Sequence, residues 1–333
     1  MPERDDTISA EERLIARYFR PLATHPGAFG LADDAAVVTP PAGCDLVLTT
    51  DGVIAGVHFF ADDPPGAVGR KVLRMNLSDL AAKGAKPVGF LMSVALPAGI
   101  GEAWIAGLAA GLGEDSAHYG CPLLGGDTDH TPGPIAISIT AFGTVPHGGM
   151  VRRATAKSGD SVLVTGTIGD AALGVLLRRD QTLAKRWRLA DAASAHLKQR
   201  YLLPEPRNAL AAAVLAHASA AMDVSDGFAG DLAKLCRASA VAAEIDVASV
   251  PLSDAARAAI AAEPVLMETA LTGGDDYEIV LTLSPEKLAD FQNAARQAGV
   301  AVTEIGRVTT GRGARFLSGG KTMNFAKPSY SHF

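Results

Sequence analysis

Met222-Asp223-Val224-Ser225-Asp226 joins an apolar run to a helical pattern, and it has an echo in the first half of the chain, Met75-Asn76-Leu77-Ser78-Asp79. In both, Ser and Asp are expected at a helix start, where they would cap free N–H groups. Either alone reads as an ordinary N-cap. Three further motifs end or adjoin apolar, strand-like runs: Ala32-Asp33-Asp34, Thr49-Thr50-Asp51 and Gly125-Gly126-Asp127. A last acidic cluster, Gly273-Gly274-Asp275-Asp276-Tyr277-Glu278, follows near the C-terminus. Acid groups with glycine and small hydroxyl residues suit a site that holds hard divalent cations against a polyphosphate. Mg²⁺ takes oxygen ligands, keeps several waters, and is usually bound by one or two carboxylates plus substrate phosphates. One such motif would be a turn. Five or six point to a single acidic pocket assembled by the fold, with Asp79 and Asp226 in one metal–phosphate cluster.

Around these motifs, strands and helices interleave. Residues 9–19 read as an amphipathic helix opened by a capping box, Ser9 with Glu12. Strand-like runs at 35–38, 45–50, 89–96 and 135–142 alternate with helical patterns at 68–83 and 102–119, so the first half is α/β or α+β. A polar, basic stretch over 146–160 sets a domain boundary near residue 150. Beyond it come a buried strand at 161–165, a Gly-rich turn and helix at 166–174, and helices at 209–220 and 227–239. A strand at 277–283, a helix at 285–298 and a strand-like tail complete the chain.

The bulk properties agree with a packed, two-domain protein. At 333 residues the chain exceeds the size at which one core stops growing. With 48% hydrophobic and only 20% charged residues it has the composition of a globular rather than a disordered protein. A net charge of −6 with no Lys/Arg stripe argues against nucleic-acid binding, so an anionic substrate would have to be met by metal. Cys44, Cys121 and Cys236 lack CxxC spacing and read as core thiols rather than disulfide or zinc ligands. The run Met1–Asp6 is too charged for a signal peptide, and the longest apolar stretch, 209–222, is too short to span a bilayer. The expectation is a cytoplasmic protein with no membrane partner.

Several motifs are decoys. Gly320-Lys321-Thr322 mimics the end of a phosphate-binding loop, but position 315 is Arg where that motif needs Gly, and no helix pattern follows. Gly166–Gly174 would cradle a phosphate at a helix start, although tight strand-to-helix packing is the better use. HExxH, GxSxG and the protein-kinase motif set are absent.

Taken in order, the segments resemble a known family. They are Leu14-Ile-Ala-Arg-Tyr-Phe19, Asp33-Asp34, Thr50-Asp51 with Gly56-Val-His-Phe59, Asn76-Leu-Ser-Asp-Leu-Ala-Ala82, Gly125-Gly-Asp-Thr128, Val164-Thr-Gly-Thr-Ile-Gly-Asp170, Tyr201-Leu-Leu-Pro-Glu-Pro-Arg207, Asp223-Val-Ser-Asp-Gly227, Gly273-Gly-Asp-Asp-Tyr-Glu278 and Tyr330-Ser-His-Phe333. Together they are similar to the thiamine-monophosphate kinases, within the superfamily of aminoimidazole ribonucleotide synthetase, selenophosphate synthetase and a hydrogenase maturation factor. The resemblance implies a two-domain aminoimidazole ribonucleotide synthetase-like fold. Its N-terminal ATP- and metal-binding domain (1–150) would be a mixed sheet with helices that pairs with a second subunit in a homodimer. Its C-terminal α+β domain (151–333) would complete the active site.

The resemblance also implies transfer of the γ-phosphoryl group of ATP to the phosphate of thiamine monophosphate, giving thiamine diphosphate. It implies several Mg²⁺ ions held by Asp34, Thr49, Thr50, Asp51, Asp79, Asp127, Asp223 and Asp226. Gly126, Asp127, Arg153 and Ser225 match the family's ATP contacts; His58, Asp275 and Tyr330 match its substrate contacts. Tyr330 would lie against the cationic thiazolium, or serve as a C-terminal packing anchor. The acceptor is already an anion, so positioning and charge neutralisation suffice and no strong base is needed. Two positions depart from the family pattern: Ala32 replaces a Gly, so its φ must be negative, and Asp275 replaces a Glu one methylene longer.

Competing readings remain weaker. The region before Asp33 has neither the Cys nor the Lys of a selenophosphate synthetase, and the chain ends Ser-His-Phe rather than in the Cys of the hydrogenase factor. An aminoimidazole ribonucleotide synthetase is the nearest enzyme alternative; the Gly-Val-His-Phe and Tyr-Ser-His-Phe segments favour thiamine. A non-catalytic nucleotide-binding subunit would be expected to have lost some of Asp51, Asp79, Asp127, Asp223 and Asp226.

Overall fold

The computed structural model describes residues 9–330, so Met1–Asp6 and Ser331-His332-Phe333 lie outside the described residues. It divides into two compact units. The first runs to Leu77 and resumes at Pro87–Pro146; the second comprises Ser78–Lys86 and the chain from His147 onward.

The first unit opens with α1 (Ala10–Leu14), whose capping box is formed: the Glu12 N–H donates to Ser9 Oγ and the Ser9 N–H to Glu12 Oε2. Its sheet contains β1 (Cys44–Ile54), β2 (Lys86–Pro97), β3 (Leu123–Thr131) and β4 (Ala136–Pro146) in the order β1-β4-β2-β3. β1 and β4 are antiparallel and β2 and β3 parallel, which makes the sheet mixed. Two helices interrupt the strands, α2 (Pro65–Ala82) and α3 (Glu102–Tyr119). Alternation along β4 buries Ile137, Ile139, Ala141, Gly143 and Val145 on one face. The opposite face keeps Leu48, opposite Phe142, 59% exposed, and Leu91 37% exposed.

Two expectations fail here. Residues 35–38 join no strand; Val37 sits on the surface and its N–H donates to Gly27 O at 2.9 Å. Ser78 and Asp79 do not cap a helix start, because both lie near the C-terminal end of α2. Nor do Ser225 and Asp226 cap: the N-cap of the helix after them is Gly227, with no side-chain cap bond.

The second unit is built on a seven-stranded sheet ordered β11-β10-β7-β9-β5-β8-β6. The strands are β5 (Ser161–Thr165), β6 (Ala220–Val224), β7 (Ala242–Asp246), β8 (Glu278–Leu283), β9 (Val302–Thr309), β10 (Gly313–Ser318) and β11 (Lys321–Met323). Only β10 and β7 pair in parallel; the other neighbours are antiparallel. The helices are α4 (Asp170–Arg179), α5 (Thr182–Arg186), α6 (Asp191–Leu202), α7 (Ala211–His217), α8 (Phe228–Ser239), α9 (Asp254–Ala262), α10 (Leu266–Thr272) and α11 (Leu288–Gln297). Strands β5 and β8, inside the sheet, and β6, at its edge, are buried at every position, as strands covered on both faces must be. Val162, Val164 and Val280 pack with Phe228 and Leu232 of α8, while Leu163, Ile279 and Leu281 pack with Val214 and Phe291, and with Ala81 and Ala82 of α2.

The apolar stretch 209–222 resolves into α7 and β6, and no helix among the described residues is long and apolar enough to cross a membrane. Gly320-Lys321-Thr322 lies at the β10–β11 hairpin. Burial pushes the thiols of Cys121 and Cys236 up to about 12 and about 11; Cys44, at the start of β1, is only half-buried rather than a core thiol.

Candidate active site

Each unit carries a cluster of the singled-out residues. In the first, the parallel β2–β3 pair sets Met92 beside Gly126 and Ser93 beside Asp127. A Cβ on Gly126 would come within 1.9 Å of the Met92 carbonyl, so only glycine permits this strand approach. The pair lines a cavity of about 620 Å³ together with Asp33, Asp34 and Thr128 and the apolar Phe19, Leu91 and Phe142. Asp34 and Asp127 are both exposed. Ala32 has φ −106°, as a non-glycine requires, and the left-handed conformations fall on Phe29, Gly30 and Leu31 just before it.

β1 supplies Thr49, Thr50 and Asp51. Thr49 and Asp51 stand opposite Ala141 and Ile139, on the face that β4 buries, and the Asp51 N–H donates to Asn76 Oδ1 at 3.1 Å. Thr50 points to the other face and is tied to β4, donating to Ile139 O and accepting from Thr140 Oγ1, each at 3.1 Å. In the turn after β1, His58 Nδ1 accepts the Ile54 N–H at 3.1 Å, which leaves the proton of the neutral ring on Nε2. The His58 carbonyl is held by the buried Lys71.

The second unit gathers the rest by strapping loops together. The Asp275 N–H donates to Ser225 O and the Tyr277 N–H to Val224 O, each at 2.8 Å, while the Tyr330 N–H donates to Asp226 O at 2.9 Å. Ser78 Oγ contacts Tyr277 O at 3.5 Å, bringing the end of α2, with Asp79, onto the same loop. Asp223 is buried at the end of β6, whereas Tyr330 is 53% exposed. Gly227 takes φ 121° and a Cβ there would lie 2.2 Å from Thr272 O, so the turn out of β6 depends on glycine. Asp275 (φ 72°) and Tyr277 (φ 51°) adopt left-handed backbone that non-glycine residues hold only when neighbours over-determine it.

Those neighbours form a buried polar bracket. Asp276 accepts the N–H groups of Gly169 (2.7 Å) and Ala171 (3.3 Å) at the start of α4. Burial raises its pKa well above the usual carboxylate range, against the Gly169 hydrogen bond. Glu278 accepts from Arg200 Nη2 (2.9 Å), Arg207 Nε (2.7 Å) and Thr165 Oγ1 (2.7 Å). Arg153 lies exposed on the chain leading to β5, with its carbonyl bonded by Ser239 Oγ.

Residues 32–145 match the family model for the AIR synthase related protein, N-terminal domain, and residues 157–317 the corresponding C-terminal domain. The thiamine-monophosphate kinase of Caulobacter vibrioides is 42% identical over 322 residues, 96% of this chain and 89% of that protein. The chain belongs to the thiamine-monophosphate kinase family. Among solved structures, the family's enzyme from Stenotrophomonas maltophilia K279a superposes with a TM-score of 0.81 at 36% identity, covering 92% of this chain and 94% of that one. AaThiL complexed with AMPPCP and TMP superposes at 0.76 with 31% identity, covering 92% and 97%.

The family resemblance implies Mg²⁺, a hard cation that takes oxygen ligands. Among the described residues no group of three or more His, Cys, Asp and Glu side chains is placed so as to hold a metal ion by itself. The donors present are carboxylates and threonine hydroxyls, the oxygen class that Mg²⁺ takes, and Mg²⁺ needs few protein ligands when phosphates supply the others. The donor types therefore suit the ion, with substrate phosphates supplying the remaining ligands. Sequence reasoning missed Lys83, Asp231 and Lys234, which lie among the acids of the second unit. Their signal was weak, since Lys83 meets Ala221 across 138 residues of chain.

Proposed function

We propose that this chain transfers the γ-phosphoryl group of ATP to the phosphate of thiamine monophosphate, releasing ADP and thiamine diphosphate. The observation that carries the reading is the strapping of three loops in the second unit, which sets Ser225, Asp226, Asp275 and Tyr330 side by side. The near full-length likeness to AaThiL complexed with AMPPCP and TMP supports the same substrates.

In this reading Gly126, Asp127, Arg153 and Ser225 contact ATP. His58, with its proton on Nε2, donates to the substrate. Asp275 and Tyr330 receive the cationic thiamine, the first by charge and the second by its ring face. Asp34, Thr49, Thr50, Asp51 and Asp127 in one unit, and Asp79, Asp223 and Asp226 in the other, would hold Mg²⁺. Bound there, the metal would neutralise phosphate charge. The acceptor oxygen arrives deprotonated, so the protein's work is positioning and water exclusion rather than proton removal.

The exposed Leu48 and Leu91 on the open face of the first unit's sheet support a homodimer through that face. A chain with only three cysteines and no disulfide-like spacing accords with a cytoplasmic enzyme. The test is ADP release with thiamine, thiamine monophosphate and aminoimidazole precursors offered in parallel. Turnover is expected with the monophosphate; turnover confined to an aminoimidazole precursor would move the chain to the synthetase reading.

A further inference from the structure

Two lysines face the acids of the second unit, and the reading above gives them no task. Lys234, on α8, donates to Asp226 Oδ2 at 2.5 Å and to Asp231 Oδ1 at 2.8 Å. Asp231 is fully buried, and its other oxygen accepts the N–H groups of Ser225 (3.1 Å) and Asp226 (2.9 Å). Lys234 thus links the partly exposed Asp226 to an anchor beneath the same loop. Lys83 follows Asp79 by one helical turn, its N–H still bonded to the Asp79 carbonyl at 3.0 Å. Its Nζ donates to Ala221 O at 2.7 Å, two residues before Asp223 on β6.

We propose that Lys83 and Lys234 are fixed cations of the phosphate site, offsetting the charge of Asp79, Asp223 and Asp226 and replacing part of the charge that divalent metal would otherwise supply. The inference rests on the proposed role of those carboxylates. A helix-surface lysine with a purely structural role would be satisfied by Asp231 three residues earlier. Lys234 also spans to Asp226, the acid that the loop presents outward. Charges fixed in place need no reorganisation when phosphate arrives, which is the form of electrostatic assistance most useful at a reacting centre.

Both are positioning residues acting through the carboxylates, and metal binding rather than turnover tests them. Mn²⁺ is titrated calorimetrically into the full chain without nucleotide, using wild type, the Lys83→Met/Lys234→Met double variant and the Lys83→Arg/Lys234→Arg pair. Freed of their ammonium groups, the carboxylates should bind Mn²⁺ at least about tenfold more tightly in the double Met variant. The Arg pair should stay near wild type. A folded double Met variant with wild-type Mn²⁺ affinity overturns the proposal. Should that variant not fold, wild type carrying ¹³C-methylated lysines decides the matter: Mn²⁺ should broaden the methyl signals of Lys83 and Lys234, and unbroadened signals overturn it. Wild-type binding that the variants leave unchanged removes this inference alone; no binding in any form removes the metal part of the proposed function with it.

Discussion

Glu278→Gln should destabilise the second unit by about 3–5 kcal/mol, the cost of removing one partner from a buried ion pair. Glu278 is fully buried between Arg200 and Arg207, whose side chains are themselves largely covered. Its carboxylate also accepts from Thr165 Oγ1. Although burial works against the Arg207 charge, hydrogen bonds to Glu278 lead the contributions that raise its pKa. Glutamine keeps the shape but turns an NH₂ group toward guanidinium donors, and the ion pair that both arginines keep among the described residues is with the exposed Glu205. At about 2–4 °C per kcal/mol for a unit of this size, the melting temperature should fall by about 10 °C. The loop carrying Asp275 precedes Glu278 directly, so KM for thiamine monophosphate should rise more than kcat falls. Thermal unfolding followed by circular dichroism, with steady-state kinetics on the same preparations, measures both. An unchanged melting temperature would refute the assignment of Glu278 as the bracket behind the substrate loop.

Other perturbations separate the remaining parts. Asp51→Asn and Asp127→Asn should each lower kcat at least about 10²-fold, the scale of losing one well-placed electrostatic group; near-wild-type rates at saturating Mg²⁺ would place the site elsewhere. Asp276 titrates near pH 3.9 when unfolded and higher when folded. Between those values the native state holds the extra proton, and stability falls as pH rises. Asp276→Asn should flatten that slope in denaturant titrations from pH 4 upward, and an unaltered slope would contradict the shift. Asp79→Asn and Asp226→Asn, if both serve one cluster, should together cost much less in kcat than the sum of the single losses; strict additivity would assign them to independent sites.

Much of the fold was legible because local rules and tertiary structure agreed. The residue 102–119 helix is ended by Gly120 in left-handed conformation, a stop that is local in origin. The fully buried strand at 161–165 announces itself as a short apolar run. The failures are also physical. Ser78 and Asp79 looked like caps because of their residue types, yet the helical pattern over 68–83 already ran through them, and the periodicity prevailed. Residues 35–38 had strand-like composition but no neighbouring strand to bond. β3 escaped because Gly125-Gly126 weakens any strand pattern, although those glycines are what let it approach β2. The acids of the candidate site were visible as motifs. Their counter-ions were not, since Lys83 and the bracket of Arg200, Arg207 and Glu278 meet their partners only through the fold.

The central claim is phosphoryl transfer onto an existing phosphate, and ³¹P NMR of a reaction containing ATP, Mg²⁺ and thiamine monophosphate tests it most directly. The account predicts ADP and the paired resonances of thiamine diphosphate growing in equal amounts, with free thiamine left untouched in a parallel tube. ATP consumed to ADP and inorganic phosphate without any diphosphate, or phosphorylation of free thiamine but not of its monophosphate, would contradict it.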